Sequence, residues 1–209
     1  VNYSTKIIAF LMIVPISGFI IFGKEFFFLW LPNETAENIK IIQILSILSL
    51  LPYMLSASNY SLFILDTVTN KLKRPVLATL TISICSTLTT IILLKFTKLG
   101  VYAVAGVSSV YWIFKVIIFN NINAAKNLRL KWTAFFGQFI KNIICFIAIT
   151  ILFFIIKIPF KISTWKMFAI VAVMAAVIGY IISFMMLFSN VEKQKLFDLL
   201  LSKFKKGRQ

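Results

Sequence analysis

Residues 40–75 read KIIQILSILSLLPYMLSASNYSLFILDTVTNKLKRP, and the fold turns on how this stretch is read. No residue between Lys40 and Asp66 is charged. A helix over 41–66 would rise about 39 Å at about 1.5 Å per residue, more than the ~30 Å hydrocarbon thickness of a bilayer. The stretch is therefore predicted to be a tilted or kinked membrane span. The kink belongs at Pro52, whose missing N–H is tolerated only where neighbouring helices or hydroxyl side chains satisfy the freed carbonyl. Ser49, Pro52, Tyr53, Ser56 and Asn59 fall at helical spacing, and Asp66 continues their face. Lys71, Lys73 and Arg74 follow within a few residues, where positive charge marks the cytoplasmic edge of a bilayer.

Composition agrees with a chain that lives in lipid. Hydrophobic residues make up 60%, mean hydropathy is +0.96, and six acidic residues stand against 22 Lys and Arg. This excludes a water-soluble enzyme. The net charge of +16 is spread over short loops between apolar runs rather than gathered in one patch, which argues against a nucleic-acid partner. Cys85 and Cys145 lie inside apolar runs without metal-ligand spacing and read as small buried hydrophobes. Histidine is absent, and no metal or cofactor site is expected. Residues 7–22 are followed by GKEFFFLWLP rather than a small-residue cleavage pattern, so they read as a span and not a signal peptide. Because the first residue is Val1, a fragment of a longer chain is expected.

Working outward, six spans are predicted, over about 5–22, 41–66, 76–94, 101–122, 139–156 and 167–188, forming a transmembrane lobe over 1–190. Pro15 and Gly18 are expected to kink the first, and Gly23, Lys24 and Glu25 to end it. FFFLWLP (26–32) then suits a surface segment with aromatics at headgroup level, and NETAENI (33–39) an acidic outer loop. NAAKNLRLKWTAFF (123–136) reads as a basic segment at the inner interface. Residues 191–209 form a basic tail, with Leu196, Leu199, Leu200 and Phe204 at helical spacing. Placing the 67–75 loop inside puts fourteen Lys/Arg on the cytoplasmic side and six outside, with Lys24 and Lys115 assigned to neither. Both termini are then cytoplasmic.

Lys115 is the clearest intramembrane charge, about seven residues or ~10 Å above the inner end of its predicted span. An ionisable residue there marks either function or a lysine that snorkels along its own stem to the interface. Ser108 and Tyr111 share its face with Trp112 beside them, while Ala103 and Gly106 form a close-packing side. A cationic, aromatic wall suits an anionic, sugar-bearing ligand. Thr79, Ser83, Ser86, Thr87 and Thr90 form a hydroxyl stripe that reads mainly as packing and back-bonding within the helix. Asn59 has an amide that its own helix cannot fully satisfy, and Asp66 is placed to pair with Lys71 or another loop cation. No converging acid, base or metal groups appear, so no enzyme activity is expected.

The proline-bearing span ending in FFFLWLP, the long span running into NKLKRP (70–75), the KLGVYAVAGVSS junction (98–109) and the close SNVEKQKLFDLLLSK (189–203) form one pattern. It resembles the polysaccharide and O-antigen flippase branch of the multidrug/oligosaccharidyl-lipid/polysaccharide exporter superfamily. The resemblance implies an all-α polytopic protein of the cytoplasmic membrane, with about 12 to 14 spans in two lobes around a cavity. The six spans here would be the carboxyl-terminal lobe, with an amino-terminal lobe of the same chain as partner. Ala103 stands where the family often has Gly. The implied function is flipping of a polyprenyl-diphosphate-linked oligosaccharide by alternating access, for cell-surface polysaccharide synthesis. Lys115 would attract the diphosphate, while Tyr111, Trp112, Asn59 and Ser56 would contact sugar or line the path, with Asp66 at its inner boundary. The alternatives are a cation-coupled multidrug-type exporter and a non-transporting membrane scaffold of polysaccharide assembly, whose polar faces would pack together without a water-filled path.

Overall fold

A computed structural model describes residues 2–57 and 59–195. The chain is all-helical: α1 (Asn2–Trp30), α2 (Ala36–Ala57), α3 (Tyr60–Val68), α4 (Lys73–Phe96), α5 (Val101–Phe114), a π-helical turn (Lys115–Asn120), α6 (Asn121–Asn127), α7 (Phe136–Lys157) and α8 (Trp165–Leu187). No strand occurs among the described residues. Five helices are long and apolar enough to cross a membrane: Tyr3–Trp30, Lys73–Phe96, the continuous Val101–Asn127, Phe136–Lys157 and Trp165–Leu187. The predicted span over 41–66 is divided between α2 and α3 and is not among these five. The expected basic tail lies outside the described residues from 196 onward.

The first correction concerns α1, which does not stop at Gly23–Glu25 but continues to Trp30. Phe, Leu and Trp sustain a helix once started, and the first true breaker is Pro32. Phe26 thus lies inside the helix and meets Trp165 and Phe168 of α8 at 5.9 and 6.0 Å between ring centroids. The aromatic run is a helix–helix contact rather than a separate surface segment. The loop between α1 and α2 is correspondingly short, because α2 already begins at Ala36, with the Thr35 hydroxyl accepting from the Asn38 N–H at 3.2 Å.

Both intrahelical prolines find the compensation they need. Pro52 frees the Leu48 carbonyl four residues earlier, and the Ser109 hydroxyl of α5 donates to it. Pro15 frees the Leu11 carbonyl, which accepts from the Tyr180 hydroxyl of α8 at 3.4 Å. The second correction is that 41–66 is not one helix kinked at Pro52: it breaks after Ala57, and Asn59 sits in the turn. A short polar side chain competes with the helix for its own backbone and favours such a break when it finds a partner elsewhere.

The main core is built by α1, α7 and α8, with Ile13, Phe153 and Val171 almost fully buried and Val116 of the π turn joining them. α2 joins α1 to a second group in which α5 packs against both α2 and α4. The tightest glycine contact is Gly179 of α8, where an added Cβ would lie 2.7 Å from the Phe153 ring. Gly106, expected on a close-packing face, has open space around it, whereas Ala103 is buried.

Two ion pairs fix the relative direction of the helices. Lys6 of α1 meets Glu192, just beyond α8, at 2.7 Å, and Lys157 at the end of α7 meets Glu25 of α1 at 2.7 Å. The start of α1 and the segment after α8 therefore lie on one side of the bundle. The hydrogen bond from Lys6, followed by one from the Ser189 N–H, holds the Glu192 carboxyl below its ordinary range. A carboxylate depressed in the folded state stabilises above its unfolded pKa and loses that contribution as pH falls through the folded value. Wild type should thus unfold at higher temperature than Glu192→Gln near neutral pH. The two melting temperatures should draw together as pH falls below the ordinary glutamate range of about 4.3 and through the lower folded value, in thermal unfolding in detergent across pH.

Candidate functional site

The polar residues of α2–α3, α4 and the Val101–Asn127 helix meet at one seam, and its centre is Lys115. The helix continues twelve residues beyond Lys115 to Asn127, about 18 Å, where about seven residues or ~10 Å were expected. Lys115 leans toward the Lys73 end of α4: Tyr111, one turn before it, meets Thr89, whereas the lysine meets Thr79. It is 7% exposed, donates to the Thr79 hydroxyl of α4 at 2.7 Å, and its ammonium lies 4.4 Å from the Trp112 ring centroid. A desolvated cation over indole gains ~2 kcal/mol, which offsets part of the cost of burying a lysine among apolar helices. Among the described residues no carboxylate forms an ion pair with it.

The neighbouring candidates are held by their own contacts. The Trp112 indole N–H donates to the Ser56 hydroxyl at 2.8 Å, and Ser56 in turn donates to the Pro52 carbonyl at 2.8 Å. The Tyr111 hydroxyl shares a 3.0 Å hydrogen bond with Thr89 of α4. Asn59 is 3% exposed and donates to the Val116 carbonyl at 2.9 Å. That bond lands in the π turn, where the ordinary i→i−4 ladder is interrupted and carbonyls need outside partners. Asn121 serves the same turn, donating to the Ile117 carbonyl at 2.8 Å. The break at Asn59 and the π turn at Lys115 are thus two sides of one contact.

Asp66 corrects a further expectation. It pairs with no loop cation; its Oδ1 accepts from Asn123 at 2.8 Å and Asn127 at 2.6 Å, and the residue is 6% exposed. Lys71 reaches instead the Asn127 carbonyl, at 3.4 Å. Structure therefore brings Lys115, Trp112, Ser56, Tyr111 and Asn59 to one seam and places Asp66 in a separate cluster at the end of α3 and α6. Thr79, Thr89, Asn121, Asn123 and Asn127 complete these two groups. The asparagine-rich run FNNINAAKN (119–127) was the available signal for the last three. In the hydroxyl stripe of α4, Thr79, Thr87 and Thr90 each donate to the carbonyl four residues earlier, at 2.7–2.9 Å.

Beside the seam a cleft of about 660 Å³ opens between α2 and α5, with Ser49, Tyr53, Ser108 and Trp112 among its lining residues. Tyr53 is 68% exposed on its rim. The cleft carries hydroxyls and two aromatic rings on an otherwise apolar wall; Lys115 does not line it but touches it through Trp112, 4.4 Å from its ammonium. Such a surface can stack a ring, hydrogen-bond hydroxyls and attract negative charge.

These helices define a multi-pass membrane protein with a buried cation beside a cleft of mixed polarity. Comparison with models of protein families, with curated proteins and with solved structures finds no match.

Proposed function

We propose that the chain serves in transport of an anionic, sugar-bearing amphiphile across the membrane, with the Lys115 seam as its anion-attracting point. The observation that carries this reading is a lysine buried at mid-helix without a carboxylate partner, next to the cleft between α2 and α5. A structural lysine at that depth would be expected to face an acid, since an uncompensated charge in lipid is destabilising. Here the missing counter-charge is supplied by a passing ligand. Trp112 and Tyr53 offer faces to a sugar ring, and Ser49 and Ser108 offer hydroxyls.

The finer form of the proposal follows the family resemblance. The cargo is a polyprenyl-diphosphate-linked oligosaccharide flipped from the cytoplasmic to the outer leaflet, and the chain acts as one lobe of a two-lobed exporter of the cytoplasmic membrane, with both ends of this segment cytoplasmic. A second reading, a non-transporting membrane scaffold, is favoured by one observation: Ser56, Asn59, Tyr111 and Lys115 all make contacts across helices. Polar side chains used in this way glue a bundle together. Translocation by the purified protein in vesicles separates the two, because a scaffold moves no lipid.

A further inference from the structure

We propose that a lipid with a phosphate headgroup binds where α4 meets the inner end of the Val101–Asn127 helix, at a site separate from the Lys115 seam. The proposal does not depend on the transport reading. Two hollows join there. The first is a cup of about 400 Å³ lined by Lys71, Lys73, Arg74, Lys126 and Asn127. The second is a groove of about 590 Å³ between α4 and the Val101–Asn127 helix, which shares Arg74 and Lys126 with the cup and continues along Thr81, Phe114, Ile118 and Ile122. From Arg74 to Thr81 the groove reaches about 10 Å along α4, the depth of a headgroup-proximal stretch of hydrocarbon chain.

Charge argues for the occupant of the cup. None of its four cations forms an ion pair among the described residues. Lys73 and Arg74 stand in the first turn of α4, which has no acidic residue, so their charge adds to the positive end of the helix dipole instead of opposing it. The nearby acid Asp66 is turned onto Asn123 and Asn127, and Asn127 is thereby fixed as a wall of the cup. A phosphate would relieve this concentration of positive charge, and an arginine fork suits its geometry. The groove selects a lipid over a free anion, since exposed Phe114 (59%), Ile118 and Ile122 form an apolar floor starting at the cationic mouth. Basic hollows between membrane helices at the inner interface recur as anionic-lipid sites.

The test is native mass spectrometry of the purified protein, loaded in turn with phosphatidic acid, with phosphatidylcholine of the same chains, and with inorganic phosphate alone. Wild type should retain phosphatidic acid over phosphatidylcholine. Arg74→Gln with Lys126→Gln should weaken that retention about tenfold or more, while Arg74→Lys with Lys126→Arg should largely keep it. Thr81→Trp, which fills the groove without changing charge, should weaken retention of phosphatidic acid but not of inorganic phosphate. Should the charge-removing variant fail to fold, Thr81→Trp decides. Equal retention of the two lipids by wild type, or retention of phosphatidic acid unchanged by Thr81→Trp, overturns the proposal. The second outcome would leave an anion site without a lipid.

Discussion

Lys115→Met should remove most translocation while leaving the protein folded. Truncating one member of a buried charge pair costs about 2–5 kcal/mol, so the rate on a diphosphate-bearing lipid should fall by about 30-fold or more. Folding should be little affected, or improve, because the variant sheds a buried ammonium and keeps the volume of the stem. What it loses is the Thr79 hydrogen bond and the contact with Trp112, while the Tyr111–Thr89 hydrogen bond and the packing of α4 on α5 remain. Lys115→Arg should retain part of the rate, since the charge remains although its shape differs. Initial rates in vesicles, set beside unfolding midpoints in detergent, check both statements. A well-folded Lys115→Met protein with the wild-type rate would remove the lysine from the mechanism.

The second large effect is on stability. Asp66→Ala should lower unfolding free energy by about 2–3 kcal/mol, because it strands the buried Asn123 amide and loosens Asn127 in one step. Asp66→Asn should cost about 1 kcal/mol, since a carbonyl oxygen still accepts but without charge. Lys71→Gln should be near neutral: Lys71 is exposed and its side chain reaches a backbone carbonyl at 3.4 Å. This ordering, read as chemical or thermal unfolding midpoints, separates the asparagine clamp from the loop ion pair that spacing alone suggested.

Much of the architecture could be read from apolar runs, and the departures have local causes. The runs at 76–94, 139–156 and 167–188 lie within three residues of the ends of α4, α7 and α8, because each is long, apolar with at most one charge (Lys141), and bounded by turn or charged residues. Hydropathy could not place the end of α1, where Gly23, Lys24 and Glu25 look like a boundary. Glu25 reaches Lys157, and the helix runs on to Trp30. Nor could it place the break at Asn59, whose cause is the Val116 carbonyl 57 residues away.

The site was legible in kind more than in depth. Lys115, Tyr111 and Trp112 stand out because charge and indole are rare in an apolar run, and Lys115 follows Tyr111 by four residues and Trp112 by three, which sets it beside both. The length of helix beyond Lys115 was hidden because Asn120, Asn121 and Asn123 resemble a loop, whereas in the fold the Asn121 amide donates to the Ile117 carbonyl, that of Asn123 to Asp66, and the helix carries on to Asn127. Thr79 could not be told from its stripe neighbours Thr87 and Thr90, since all three back-bond to their own helix and Thr79 is the one that meets the lysine.

The central claim is that this protein moves a phosphate-bearing lipid rather than merely anchoring others. The most direct measurement reconstitutes the purified protein, from its complete gene, into vesicles carrying a fluorescent polyprenyl-diphosphate sugar and follows its transfer between leaflets by quenching from outside. Transport predicts transfer well above that of protein-free vesicles, lost in Lys115→Met. Transfer no faster than in protein-free vesicles, from protein that is folded and correctly inserted, would contradict it and leave the scaffold reading in its place.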